Sequence, residues 1–445
     1  MLKTQRPLVI FEKGFIPCNE RIQFAIEIEN PSVVPKIIEN LHNAMLGFDL
    51  RLEGDNVVYH KNDFVVHKIP TNIHSAREAC NYVNTIPMSY DKTLSTIAAN
   101  DKYVAVSVTH LLYDGGFFMN LYQNLLNEKI KPTSEISLLP TSTDEIFSRI
   151  YEKGVKIERW AQSAENITTA HWSKNMKCEQ TKRKNNNDAN DDNEDNTNCR
   201  YHDFETPVED CQFIKSKFGL TDSYWTIIPL CLMAFEGKLQ KFGIQTCVDL
   251  RPEIGKYINL YNEHHFDGYT KNNQLMNTIN CNFSPIYLVL KDIEPDKTSK
   301  MTIRQIGSRF RDLYNQYMND GMFFDAFGAL GKAGFTLPEK NLVMPEVSNV
   351  GRFILEKPIV DCWIQQTVIH RFVPNSASFT VYSKTKYGKN TLVTRFQQPQ
   401  SVLSNEDSHA LASSVVFALK EISPDTSIQD AYEQIRKFQE NSRKH

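Results

Sequence analysis

The sequence predicts an α/β fold with mixed sheets, divided into two lobes. Three observations lead there. Stretches that alternate polar and apolar residues, the strand signature, are interspersed with stretches whose apolar residues recur every three or four positions, the helix signature. The same mixture stands on both sides of a polar break, KRKNNNDANDDNEDNTN, Lys182 to Asn198. The chain has 445 residues, 41% of them hydrophobic, which is enough for more than one core.

In the first half, Arg21 to Glu29 (RIQFAIEIE) alternates as a strand. Ser32 to Met45 follows with Val33, Ile37, Leu41 and Met45 four apart, an amphipathic helix for which Ser32 is the expected cap. Phe48 to Leu52 and Asn56 to Tyr59 read as short paired strands around Glu53-Gly54-Asp55. Lys102 to Thr109 is a further strand, with helices at Phe117 to Leu126 and Thr143 to Val155. In the second half, Asp210 to Phe218, Ser223 to Gln240 and Thr302 to Met318 have helical spacing. Thr246 to Leu250, Ile286 to Leu290, Trp363 to Phe372, Ser378 to Ser383 and Thr391 to Phe396 read as strands, the last two joined through Gly388 and Asn390. Asp430 to Phe438 is only weakly amphipathic. The segment at 182–198 has too few apolar residues to repay the entropy of ordering, so it should be a flexible linker or insertion. The expected division is 1–175, 176–200 and 201–445.

Composition excludes several classes. A formal net charge of −3 supplies no basic field for nucleic acid. Nine cysteines form no C-x-x-C pair or Cys/His cluster, so no metal is expected, and the thiols should be reduced in a cytoplasmic setting. The opening MLKTQRPLVIFEKGF lacks the apolar core of a secretory leader. The longest apolar run, Tyr224 to Phe235, is interrupted by Pro229 and falls short of the roughly 20 residues of a membrane span. It should be a core helix. Peripheral contact with a membrane stays open.

Familiar catalytic signatures are absent: no G-x-S-x-G, H-E-x-x-H or G-x-x-x-x-G-K-[ST]. GALGKAG, Gly328 to Gly334, has the wrong spacing for a phosphate loop, and His264, His265 and Asp267 suit a polar loop better than a metal site. What stands out is VSVTHLLYDGGFF, Val106 to Phe118. A histidine and an aspartate four apart arise by chance in a chain with twelve histidines. Two following glycines reduce the chance expectation to roughly one in a thousand. His110 would sit just past a strand end, where the chain bends and can overlook a cleft. Imidazole titrates near neutrality and can take and return a proton. Asp114 could pair with a cation and pin the bend, while Gly115 and Gly116 would leave room for a ligand. Asp114 could equally cap the following helix while His110 fills a core gap. Spacing leaves both readings open.

HLLYDGG resembles the H-x-x-x-D-G motif of the coenzyme-A-dependent acyltransferase superfamily, which includes chloramphenicol acetyltransferase, plant acyltransferases and the condensation domains of peptide synthetases. Further segments resemble the same superfamily in the same order: FEKGFIPCNERIQFAIEIE, LHNAMLGFDLRLEGD, FGLTDSYWTIIPLCLMAF, TCVDLRPEI, NTINCNF and MPEVSNVGRF. Together they span nearly the whole chain outside the insertion. The branch they resemble is that of the yeast alcohol O-acetyltransferases and related N-acetyltransferases of long-chain, sphingoid-like amines. The plant branch's D-F-G-W-G motif has no counterpart.

The resemblance implies two chloramphenicol-acetyltransferase-like lobes forming a pseudo-dimer in one monomeric chain, with a tunnel between them and His110 midway. It implies acetyl-CoA as co-substrate, a small alcohol or amine acceptor, no metal, and a cytoplasmic enzyme, with the endoplasmic reticulum surface as a further setting. Arg251, beside Asp249, would be the partner of Asp114, with Arg51 as the competing cation; Asp249 and Arg251 could instead form an ordinary surface pair. Ser348 and Asn349 are candidates for shaping the site or binding the thioester oxyanion, although Asn349 with Gly351 also makes a good turn. Thr380 and Ser383 are expected on a strand bordering the tunnel. Lys384, Lys386 and Lys389 could meet the coenzyme's phosphates or simply solvate a hairpin. An inactive condensation-like binding protein, and a hydrolase using the same histidine, remain as alternatives.

Overall fold

The structure, a computed structural model, describes residues 4–16, 19–126, 139, 142, 170–171, 199–254, 282–323, 342–368, 376–399 and 403–443. The expected flexible segment at 182–198, the helix at 143–155, the glycine-bearing stretch 328–334 and the histidine loop at 264–267 lie outside the described residues.

Numbering strands along the chain, a five-stranded sheet has the order β13 (Ile359–Val368), β2 (Glu20–Ile28), β7 (Tyr103–Thr109), β6 (Ser95–Ala99) and β5 (Val66–Lys68). A seven-stranded sheet has the order β11 (Phe283–Val289), β10 (Gly243–Asp249), β12 (Leu342–Ile354), β14 (Ser376–Lys386), β15 (Lys389–Pro399) and β9 (Cys199–Pro207), with β8 (Ala170–His171) pairing β12. Both sheets are mixed: β5–β6, β10–β12 and β12–β14 are parallel and the remaining pairs antiparallel. β1 (Gln5–Pro7), β4 (Asn56–Tyr59) and β3 (Leu50–Glu53) form a small third sheet.

Every residue of β7 is buried, as befits a central strand covered on both faces. Helix Ala76–Asn84, capped by Ser75 through the Glu78 amide, covers β2, β7 and β13 from one side. In the second lobe helices Ile303–Asn319, Asn405–Glu421 and Ile428–Ser442 gather around Leu220–Glu236. That last helix contains the apolar run and is buried from Ser223 to Phe235. It tolerates Pro229 in its interior and stops at Gly237, whose φ of +79° few residues but glycine adopt. Among the described residues no helix is long and apolar enough to cross a membrane.

Several local expectations shift. Asn30, not Ser32, caps the start of the first amphipathic helix: its side chain accepts from the Ser32 amide, and the regular helix runs Val34–Ala44. The terminal helix Ile428–Ser442 is longer than its weak pattern indicates, with Ala431 and Ile435 fully buried. β13 joins the sheet of the amino-terminal half, pairing antiparallel with β2, although it lies far along the chain.

Candidate active site

β7 ends at Thr109, and the His110 amide donates to the Glu20 carbonyl at 2.8 Å, continuing the ladder one step past the Arg21–Thr109 pair. The chain then turns tightly, with the Leu112 amide donating to the Thr109 carbonyl. Asp114 is extended and caps the short helix Gly115–Asn120, its Oδ1 accepting from the Phe117 amide at 2.9 Å. The same carboxylate receives both ends of a guanidinium: Arg251 Nη1 lies 2.8 Å from Oδ1 and Nη2 3.0 Å from Oδ2. The Asn282 amide adds a bond of 2.7 Å to Oδ2. Both readings of Asp114 therefore hold at once. It caps a helix of one lobe and grips an arginine of the other.

Arg251 also donates from Nη1 to Asp249 Oδ1 at 2.9 Å. Burial lowers the guanidinium's pKa, yet the Asp114 and Asp249 carboxylates outweigh it and hold the group above its ordinary value. Asp249, whose carboxyl burial raises, faces the cavity described below rather than forming an ordinary surface pair. A Cβ on Gly116 would stand 2.6 Å from Arg251 Nη1 and 3.1 Å from Asp249 Oδ2, so only glycine lets the helix start lie against this pair. Gly115 is less tightly held, 3.2 Å from Val350. Arg51 pairs with Glu53 on its own strand and takes no part.

Strand geometry explains what faces His110. Alternate residues of a strand share a face, and paired residues on adjacent strands lie side by side. On the five-stranded sheet this puts Glu20 and His110 together, with Gln366, opposite Ile22, on the same face. On the seven-stranded sheet Gln245, Cys247 and Asp249 share a face of β10, and the parallel register Gln245–Glu346 adds Glu346 and Ser348 of β12. The two faces enclose a cavity of about 250 Å³ between the lobes, lined also by Phe15, Met119, Phe283 and Pro285. His110 is 7% exposed and opens into it. Its ring is stacked on Phe15, centroids 4.7 Å apart, and tilted against Phe283 at 5.3 Å. Burial lowers the imidazole's pKa, opposed by main-chain hydrogen bonding at His110 and Tyr113 and by Asp114. Burial thus favours the uncharged imidazole, the form able to accept a proton.

Other candidates separate. Ser348 lines the cavity. Asn349 also borders it, but its amide nitrogen donates to Thr221 at 3.0 Å and its oxygen accepts from Gly351 at 3.1 Å, so its polar atoms serve the bulge at Gly351, where φ is +112°. Thr380 and Ser383 do not line the cavity. Lys384 is buried and paired with Asp361 at 2.9 Å and Glu205 at 3.1 Å, which removes it as a phosphate ligand. Lys386 lies over the Tyr387 ring.

Glu20, Glu346, Gln245, Gln366 and Cys247 were not expected. Burial, with Glu346 adding repulsion, pushes the Glu20 carboxyl up to about 8. Burial also pushes the Cys247 thiol well up, so it stays neutral.

No known family model matches the sequence, and no curated protein matches it. Solved structures do. The condensation domain from Monacolin K polyketide synthase MokA superposes with a TM-score of 0.63 at 11% identity, over 96% of this chain and 99% of that one. The first condensation domain of the CDA synthetase gives 0.60 at 11% identity over 97% and 99%. Polyketide synthase associated protein 5 from Mycobacterium tuberculosis gives 0.59 at 11% identity over 94% and 97%. The likeness covers essentially whole chains and defines the fold: two chloramphenicol-acetyltransferase-like lobes, each with a mixed sheet, arranged as a pseudo-dimer in the manner of condensation domains.

Proposed function

We propose that the protein is an acyltransferase that moves an acetyl group from acetyl-CoA to an alcohol or amine acceptor, with His110 as general base. The observation that supports this most is the position of His110. Its ring opens into a cavity walled by both lobes and is held between an aromatic ring from each. In the proposed reaction the acceptor's oxygen or nitrogen attacks the thioester carbonyl while the imidazole takes its proton. The C–S bond then breaks, and the imidazolium returns the proton to the departing thiolate. Both substrates are present together, and no acyl-enzyme forms. Asp114 and Arg251 do not touch the reacting atoms; they fix the bend that aims His110. Ser348, on the cavity wall, is the candidate to steady the oxyanion. The coenzyme's long arm would approach from one mouth of a tunnel through the cavity and the acceptor from the other. The lobes of the proposal are residues 1–175 and 201–445, joined through 176–200.

The test is thiol release from acetyl-CoA, together with mass spectrometry of the acceptor, for the wild type and His110→Ala. Product formation that disappears in a folded His110→Ala protein supports the reading. Near wild-type transfer by the variant, or thiol release with no acylated acceptor, overturns it; the second outcome marks a hydrolase.

A further inference from the structure

Resting on the reading of His110 as the base, we propose that the amino-terminal arm, residues 5–16, completes the catalytic centre by seating Phe15 on the imidazole. Phe15 is one jaw of an aromatic clamp whose other jaw, Phe283, comes from the second lobe. Its ring is stacked on His110, with centroids 4.7 Å apart and 15° between the planes. Phe283 meets the imidazole at 5.3 Å and 44°, and the two phenyl rings stand 6.3 Å from each other. Both act through His110 and are positioning residues.

Specific bonds hold each jaw. On the arm, the Arg6 guanidinium of β1 donates to both oxygens of Glu12, at 2.8 and 2.6 Å, and both side chains are buried. Glu12 also accepts from the Val9 amide at 3.1 Å, the bond that opens the short helix Ile10–Lys13. The Phe15 amide then donates to the Glu12 carbonyl at 3.1 Å, which sets Phe15, 6% exposed, just past the helix end. Outside, the Leu8 amide donates to the Asp55 carbonyl, and Lys13 pairs with the Asp55 carboxylate. In the second lobe Phe283 opens β11 opposite Asp249. Its neighbour Asn282 donates its amide to Asp114 at 2.7 Å and accepts at its carbonyl from the Leu250 amide at 2.8 Å. Asp114 therefore fixes the root of Phe283 as well as the bend that carries His110.

A histidine base needs one ring orientation, and rotation of the ring about its bond to Cβ is intrinsically broad. Asp114 does not supply that orientation directly, because Arg251, Asn282 and Phe117 occupy its oxygens. A flat face on either side narrows the rotation. The same faces exclude water, which disfavours imidazolium, and present their negative quadrupole to that cation once it forms. The loss of water is the larger effect, since burial is the first cause lowering the His110 pKa. Among the described residues, the ionisable side chains sharing the cavity are Glu20, Asp114, Cys247, Asp249, Arg251 and Glu346. On the arm, Arg6 and Glu12 neutralise each other. Exchanging a phenylalanine for leucine alters none of these charges, so a change in His110 titration reports contact and hydration.

The experiment follows the His110 ring by NMR in full-length protein labelled at histidine Cε1, the resonance being assigned by its absence from His110→Ala. Thiol release from acetyl-CoA, with octanol and octylamine as acceptors, gives the kinetics. In the wild type the ring currents of the clamp should place the His110 Cε1 proton upfield of exposed histidines. Phe15→Leu and Phe283→Leu, each checked for folding by thermal melting, should move it downfield and raise the His110 pKa towards 6.5. Both should lower kcat about tenfold and change KM for acetyl-CoA by less than about twofold. Phe15→Tyr, which keeps the flat face, should retain the wild-type resonance and kcat. An unshifted proton in the wild type overturns the clamp by itself, whether or not a variant folds. So do leucine variants with wild-type kcat and titration, a loss confined to KM, or a loss as large in Phe15→Tyr as in Phe15→Leu. Clamp resonances in a protein whose His110→Ala form still transfers leave the clamp standing and remove the base reading. His110-dependent transfer that is indifferent to both leucine substitutions does the reverse.

Discussion

Asp114 and Arg251 meet across the junction of the two lobes as a two-point ion pair, although they stand 137 positions apart in the sequence. Both side chains are 4% exposed. The pair joins the proposed base, four residues before Asp114, to the wall of the opposite lobe.

Removing one partner strands the other. Asp114→Ala takes from the buried guanidinium the carboxylate it grips at two points, and from the Asn282 and Phe117 amides the acceptor they share. The expected loss is about 3–5 kcal/mol of stability, read by urea unfolding, together with loss of acyl transfer. Asp114→Leu combined with Arg251→Met should regain much of the stability without regaining activity. Full activity in the double variant would show that the pair does not position His110.

Gly116 predicts a graded result. Gly116→Ala drives a methyl group into Arg251 and should cost about 1–3 kcal/mol and lower kcat. Gly115→Ala meets only the end of Val350 and should be much milder. Thermal melting and steady-state kinetics on the two variants check the order.

The lowered pKa of His110 sets an acid limit. The unfolded chain takes up a proton near the ordinary histidine pKa of 6.5, whereas the folded protein resists it until lower pH. Stability from this residue is therefore complete above pH 6.5 and declines as pH falls towards the folded value. The acid limb of kcat/KM should likewise lie below pH 6.5, and stability between pH 7 and pH 5 should fall less steeply in His110→Ala than in the wild type. A limb at or above pH 6.5 contradicts the burial of the ring.

Glu20 acts in the opposite direction. Its carboxyl is raised from 4.5 to about 8, so the folded state holds a proton that the unfolded chain has released. Stability from it is complete below pH 4.5 and is lost as pH rises through 8, with a limiting slope of about 1.4 kcal/mol per pH unit. Contact with water in the cavity reduces that slope. Glu20→Gln should melt at a higher temperature than the wild type at pH 9, with the difference shrinking towards pH 5. A variant equally shifted at both values would indicate a packing effect instead.

Much of the bend at His110 was legible because it is local. A valine-rich strand, a histidine at its end, an aspartate cap and two glycines occupy one continuous stretch, against which the structure sets Arg251. The opposite wall was legible only in part, through Asp249, Arg251 and Ser348. Gln245, Cys247 and Glu346 become their neighbours only once β10 and β12 are set in parallel register, and β12 hides its alternation behind Pro345 and Gly351. Nor does any pattern within Ile359–Val368 say which sheet that strand joins. Helix Asn405–Glu421 also escaped notice, because its serines and alanines are buried beside its leucines and valines and leave no clear polar stripe. Asn349, singled out through the resemblance of its segment, is occupied as its turn reading anticipates: an asparagine two residues before a glycine is what a bulge needs.

The placement of β13 has a consequence for how the molecule can be cut and how it can breathe. A fragment ending before the later half would expose the whole hydrogen-bonding border of Glu20–Ile28, including the flanks of Phe24 and Ile26, as a template for clumping. In the intact chain the same loan acts as a tie-bar. The halves cannot swing apart like a clam without unzipping main-chain bonds from Ile28 to Glu20.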